Sequence, residues 1–271
     1  MIFSLLIQVG LAQDSIKFFV AGHAYGSPGI DNKGFHPRFQ NHMNQNHQQF
    51  DFGIFTGDFI LKPTEKNWNE IDSAMSDWTP ETHFVAGNHD YGKGVIFEER
   101  SGGLNKSFQK DNSLFVILNL TTTGWLITPD HWKMIHQALE DQESNVDHIF
   151  LFTHQVACVN SDPLFKNVRP NSYDGSAGDL KFFETNLEKF SELKVPIYVF
   201  TGDVGAIHGR SGSSYHQVKN LHLISSGMGN NETDNYLSVQ VNLDSIKITR
   251  VNLINGDSCP LSEELIRITK P

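Results

Sequence analysis

Five short apolar runs, each closed by a polar side chain or by Gly and then a polar side chain, constrain this 271-residue chain more than any other feature. Phe52–Thr56 runs into Gly57-Asp58, and His83-Phe84-Val85-Ala86 runs into Gly87-Asn88-His89-Asp90. Residues 147–153 run into His154, residues 195–201 into Gly202-Asp203, and Ile16–Ala21 into Gly22-His23-Ala24-Tyr25-Gly26. Runs this short, rich in Phe, Val and Ile and bounded by Gly, read as buried strands. Gly lets the backbone turn sharply where a strand stops. The Asp, Asn and His delivered there are oxygen and imidazole donors, and open α/β sheets keep their sites in loops at strand carboxyl ends. A lone Gly-Asp is ordinary turn chemistry. Five strand ends bearing metal-competent side chains are not five independent turns.

In this order the motifs resemble those of the calcineurin-like metallophosphoesterase superfamily, which are Asp-x-His, Gly-Asp, Gly-Asn-His-Asp/Glu, a strand-end His and Gly-His-x-His. Residues 87–90 match the third in full, and Gly57-Asp58 and His154 stand in the expected order. The motif order extends over roughly residues 16 to 255. The resemblance implies an α/β fold, a two-sheet β-sandwich flanked by helices on both outer faces in four αββα layers, forming a single catalytic domain over residues 16–271. It also implies a phosphoric ester hydrolase in which hydroxide on a metal attacks phosphorus, without a covalent Ser or Cys intermediate. The cofactor so implied is one or two divalent or trivalent ions, Mn, Fe or Zn. By the same resemblance Asp58 bridges two metals, Asn88 and His154 bind the second, His89 contacts phosphate and protonates the leaving group, and Asp90 orients the His89 ring.

Two motifs depart from the pattern. His23-Ala24-Tyr25-Gly26 stands where the family has Asp-x-His-Gly, and Gly202-Asp203-Val204-Gly205 where it has Gly-His-x-His. The second-metal set therefore survives in altered form as Asp58, Asn88, His154 and Asp203, while the first keeps only His23 and the shared Asp58. Tyr25 binds a metal only without its phenolic proton, which a strongly acidic cation can remove despite a free pKa of about 10. His208, three residues beyond Gly205, is either a ligand reaching back from the loop or an ordinary surface histidine. The expectation is a weak first-metal position. The alternative to a hydrolase is a non-catalytic or attenuated relative that binds a ligand or partner, which the two lost imidazoles favour and the intact 87–90 motif disfavours.

A net charge of -10 and the absence of a basic run disfavour a surface for nucleic-acid backbones. A phosphorylated substrate must then be drawn in locally, by metal ions and a few positive groups. The 20 Phe residues suffice for a buried interior without disulfides, and two cysteines, Cys158 and Cys259, identify no redox compartment. Residues 1–15 begin apolar and carry Gly10-Leu11-Ala12 before Gln13, but no Lys or Arg precedes them. They read equally as a signal peptide, implying export or the periplasm, or as an N-terminal extension of a cytoplasmic protein. No run approaches the roughly 18 to 20 apolar residues that span a bilayer.

Between the motifs, residues 36–49 are predicted to form the first covering helix, and because His42 and His47, five apart, share no face well, it reads as a solvated helix rather than a metal site. Thr128-Pro129-Asp130 has the N-cap and first-turn residues of a helix start, and Trp132, Ile135 and Leu139 follow on one core-facing stripe. Residues 114–120 read as a strand that buries the glycosylation sequon at Asn119, while the sequons at Asn105 and Asn231 lie in more polar stretches. Residues 160–178 read as a long loop shaping the substrate mouth, with Arg169 either a phosphate contact or a solvated charge. Residues 221–226, 236–243 and 246–253 read as successive antiparallel strands, the last two joined tightly at Asp244-Ser245.

Overall fold

Phe18 and Phe19 are neighbours in sequence but belong to different cores, because successive side chains of a strand point to opposite faces. The computed structural model describes residues 15–27, 34–141, 146–156, 170–171, 186–207, 212–243 and 245–261. In chain order its strands are β1 (Ile16–Ala21), β2 (Phe52–Thr56), β3 (Glu81–Val85), β4 (Lys106–Lys110), β5 (Ser113–Ile117) and β6 (His148–Phe152), then β7 (Ile197–Thr201), β8 (Ser213–Val218), β9 (Leu221–Ser226), β10 (Asn235–Asn242), β11 (Ser245–Asn252) and β12 (Ser258–Pro260). They form two six-stranded mixed sheets, ordered β12-β11-β10-β1-β2-β3 and β4-β5-β6-β7-β9-β8.

Between the sheets, Phe18, Val20, Phe52 and Ile54 of the first meet Phe115, Phe150, Phe152 and Phe200 of the second. The Phe18 ring stacks on Phe52 at 4.9 Å and takes the edges of Phe115 and Phe150 at 5.5 Å. Burying each such ring contributes about 1.5–3 kcal/mol, and favourable ring pairs add about 0.5–1.5 kcal/mol. Outside the first sheet, α1 (Pro37–Asn46), α2 (Glu65–Met75) and, after the single turn α3 (Asn88–Tyr91), α4 (Val95–Ser101) pack Phe39, Met43, Trp68, Ile71 and Phe97 on Phe19, Phe55 and Phe84. Outside the second, α5 (Pro129–Glu140) and helical residues 186–192 pack Trp132, Ile135 and Phe190 on Leu114, Leu151 and Val199. The expected layers are thus present, helices around two face-to-face sheets.

The start of α5 is as predicted: Pro129 opens the helix, and the Thr128 hydroxyl accepts from His131 N at 3.4 Å. Residues 36–49 divide into α1 and a 3₁₀ turn at His47–Gln49. His47 is not solvated, and His42 is half-buried. His47 is buried beside Thr79 Oγ1, and His42 Nε2 meets the Tyr236 hydroxyl at 3.0 Å. β5 stops at Ile117, and Asn119 beyond it is buried as expected. One strand assignment is corrected. β10 and β11 pair antiparallel, but β9 lies in the other sheet, parallel to β7, and residues 227–234 carry the chain across. An apolar pattern marks a strand without naming its partner. Cys158, Arg169, His208 and Asp244 lie outside the described residues. No described helix is long and apolar enough to cross a membrane.

Candidate metal centre

β1, β2 and β3 run parallel in one sheet, as do β5, β6, β7 and β9 in the other, so their carboxyl ends emerge along the rims of the two sheets. The rims touch through backbone. A Cβ added to Gly22 would fall 2.4 Å from Gly202 Cα and 2.1 Å from the Ser226 carbonyl oxygen. Only glycines permit this approach, which brings the loops after β1, β2 and β7 together. Gly57 has φ +85, and a Cβ there would lie 2.3 Å from His154 Nδ1. His23 and Asp58 hold positive φ values of 49° and 55°. For residues other than Gly this is uncommon and costs energy, and such strain clusters at functional sites.

His154 organises the site. Its Nδ1 lies 2.9 Å from the Thr56 carbonyl oxygen, which can only accept, so Nδ1 carries the ring proton. In the neutral ring Nε2 presents a lone pair, and among the described residues three oxygens face it: Asn88 Oδ1 at 3.3 Å, Asp58 Oδ2 at 3.5 Å and Asp203 Oδ1 at 3.9 Å. Donor atoms of Asp58, His154 and Asp203 all lie within 4.8 Å of one another. Lone pairs converging on one point fit a cation, and the imidazole and carboxylate donors suit Mn, Fe or Zn. Asp58, His154 and Asp203 are buried, while Asn88 is exposed and marks the solvent side.

Across Asp58 stands His23, its Nδ1 3.0 Å from the Met228 carbonyl oxygen and its Nε2 3.6 Å from Asp58 Oδ2. Burial, then the neighbouring His154, pulls the His23 pKa down to about 3, so the ring is neutral and offers a second lone pair. His23 does not join the three-residue group, and among the described residues no third His, Cys, Asp or Glu completes a group with His23 and the shared Asp58. Tyr25 is 1% exposed, and burial followed by Asp58 pushes its phenol well above the usual range, the neutral form. Gly205 (φ +94) has no side chain to offer.

The expected partnership of Asp90 and His89 is not formed. Asp90 accepts from the backbone N–H groups of Asp58, Phe59, Ile60 and Gly87, fastening the loop after β2 to the loop after β3. A carboxylate with four donors already on it has no capacity for an imidazole. Burial and the charge of Asp58 push the Asp90 carboxyl up, against the pull of those N–H groups. His89 is oriented instead by the Leu61 carbonyl oxygen, 3.0 Å from its Nδ1, while its backbone N–H donates to Asp58 Oδ1 at 3.1 Å. Burial likewise pushes the Asp58 carboxyl up, opposed by His89.

Three contributors were not foreseen. Asp234 accepts from Gly229, Asn230 and Asn231 N–H groups and so shapes the loop whose Met228 carbonyl holds His23. The Gly, Asn and Asp cluster after residues 221–226 was the available signal. Trp125, at φ +66, sets its ring 6.0 Å from that of His154. Asn171, a described part of the expected long loop, donates its N–H to the Asp203 carbonyl oxygen at 2.9 Å and so lies against the site.

No family model matches the sequence, and no curated protein matches it. Solved structures do. Purple acid phosphatase PPD1 from yellow lupin (Lupinus luteus) seeds superposes with a TM-score of 0.64 at 12% identity, covering 91% of this chain and 53% of that one. The chain has the calcineurin-like metallophosphoesterase fold. It spans about half the length of the lupin phosphatase. GAP50, described as the anchor in the inner membrane complex of Plasmodium, superposes with a TM-score of 0.57 at 12% identity, over 91% of this chain and 88% of that one. At such identity the likeness is one of metallophosphoesterase fold, and the chemistry rests on the side chains above.

Proposed function

We propose that this protein is a metal-dependent phosphoric ester hydrolase. The observation that carries the reading is His154 Nε2, a lone pair facing oxygens of Asn88, Asp58 and Asp203 with its other nitrogen already committed. In this reading those four residues hold a divalent or trivalent cation of Mn, Fe or Zn, and His23 with Asp58 forms a weaker half-site beside it. When bound, such a cation polarises a phosphoryl oxygen and eases deprotonation of an attacking water. His89, placed by Leu61 and half-exposed at the rim, contacts a phosphoryl oxygen and passes a proton to the leaving oxygen. With Nδ1 committed to Leu61, it can donate from Nε2 only in the doubly protonated form. Asp90 serves as a positioning residue that fixes the Asp58 and Asn88 loops together.

A second reading is an attenuated, ligand-binding relative. It is favoured by Tyr25 and Gly205 where the family pattern has imidazoles, and by the fold likeness to a protein described as an anchor. Hydrolysis of 4-nitrophenyl phosphate and bis(4-nitrophenyl) phosphate with added Mn²⁺, by the wild type and by His154→Ala, separates the two. Turnover lost in His154→Ala supports the hydrolase. Mn²⁺ bound by the wild type without turnover of either ester supports the attenuated relative.

A further inference from the structure

The outer face of the first sheet carries a groove of about 350 Å³ at its β10–β11 side, at the low end of the roughly 300–1,000 Å³ of small-molecule sites. Its floor follows from strand register. Lys17 on β1 lies opposite Gln240 on β10, which lies opposite Lys247 on β11. Two residues along, on the same face, Ser238 pairs with Thr249. Strands about 4.8 Å apart put the two lysine backbones roughly 10 Å from each other with an amide between them. The wall is α1 and the turn after it, through His42, Asn46 and Gln49.

Several of these groups are held in place. Lys17 Nζ donates to Gln49 Oε1 at 2.7 Å and lies 5.4 Å from the Phe50 ring centroid. His42 is fixed on the hydroxyl of Tyr236, itself 1% exposed. Among the described residues no Asp or Glu lines the groove, although the chain carries 31 acidic residues against 21 Lys and Arg. Two ammonium groups without a carboxylate select an anion, and hydroxyls with amides, which donate and accept, suit vicinal hydroxyl groups. Lys17 is the second residue of β1 and His23 follows its far end, so the groove is separate from the metal centre.

We propose that this groove binds a sugar acid, a hexose-sized polyol whose carboxylate lies between Lys17 and Lys247 and whose hydroxyls meet Ser238, Thr249 and the wall amides. Nothing in it depends on the hydrolase reading. The test is calorimetric titration of the full chain with D-glucuronate, with D-glucose and acetate as comparisons, in EDTA so that the metal centre takes no part. Saturable binding of glucuronate is expected, with glucose and acetate at least about tenfold weaker, since each charge-assisted hydrogen bond is among the strong ones. Lys17→Gln and Lys247→Glu should each weaken glucuronate by at least about tenfold while unfolding at the wild-type temperature. Lys247 is exposed, so Lys247→Glu alone decides should Lys17→Gln fold poorly. No saturable binding of glucuronate to the wild type, unchanged affinity in Lys247→Glu, or acetate binding as tightly as glucuronate would each overturn the proposal.

Discussion

Gly57→Ala tests whether the strand-end glycines exist so that the ligands can close on one another. Gly57 holds φ +85, a conformation that costs an L-residue about 1–2 kcal/mol. The new methyl would also fall 2.3 Å from His154 Nδ1 and 2.6 Å from its Cγ. That ring cannot retreat freely, because it is 1% exposed and tied to the Thr56 carbonyl. Overpacking of this kind costs about 1–3 kcal/mol, so the whole change is worth about 2–5 kcal/mol. Gly124 separates the two contributions. It has φ +63 with nothing within 4 Å of an added Cβ, so Gly124→Ala carries the backbone cost alone. Urea unfolding of both variants in EDTA should show Gly57→Ala the less stable by about 1–3 kcal/mol. Metal content, measured separately on reconstituted protein, should fall in Gly57→Ala only, since a displaced ring takes Nε2 away from Asp58 and Asp203. Equal destabilisation of the two variants, with metal retained in Gly57→Ala, would mean that Gly57 does not make room for the His154 ring.

Asp90→Asn puts an amide NH₂ among four backbone N–H groups and leaves at least one buried donor unpaired, at about 1–3 kcal/mol, so an unchanged thermal midpoint would contradict the positioning role. His89→Gln should lower turnover of an aryl phosphate by about 10² or more with metal content intact, and loss of metal with activity would make His89 a ligand instead. In metal-free protein His23 is neutral in the native state, its pKa lowered from 6.5 to about 3 by burial and then by His154. The unfolded state binds more protons between those values, so stability present above pH 6.5 is lost as pH falls through 3, at up to about 1.4 kcal/mol per pH unit. Urea midpoints in EDTA from pH 7 to pH 4 should drop more steeply for the wild type than for His23→Asn. Parallel curves would count against it.

The strands around the site were legible because each buried run is short and ends in Gly or a polar donor, as at Phe55-Thr56-Gly57-Asp58. The four donors on the His154 side were legible for the same reason. Pairing was less so: residues 221–226 are as apolar as a neighbour of β10 would be, and the crossing at residues 227–234 depends on Asp234 gathering backbone N–H groups. Asp90 beside His89 in sequence suggested a side-chain pair, but a helical first turn at Asn88–Tyr91 turns its carboxylate onto Gly87 N–H and the loop after β2. The carbonyls of Thr56, Met228 and Leu61 set three imidazole tautomers, and backbone acceptors leave no mark on a sequence. His47 was misplaced because spacing along a helix does not show what packs against it.

On the reading proposed above, Asp58, Asn88, His154 and Asp203 hold one cation. Elemental analysis of protein reconstituted with Mn, Fe or Zn and then dialysed decides this, on the wild type, His23→Ala, His154→Ala and Asp203→Ala. Four donors around one point predict about one ion per chain in the wild type and in His23→Ala, and none above background in His154→Ala or Asp203→Ala. An ion retained equally in all four proteins, or none in the wild type, would contradict it.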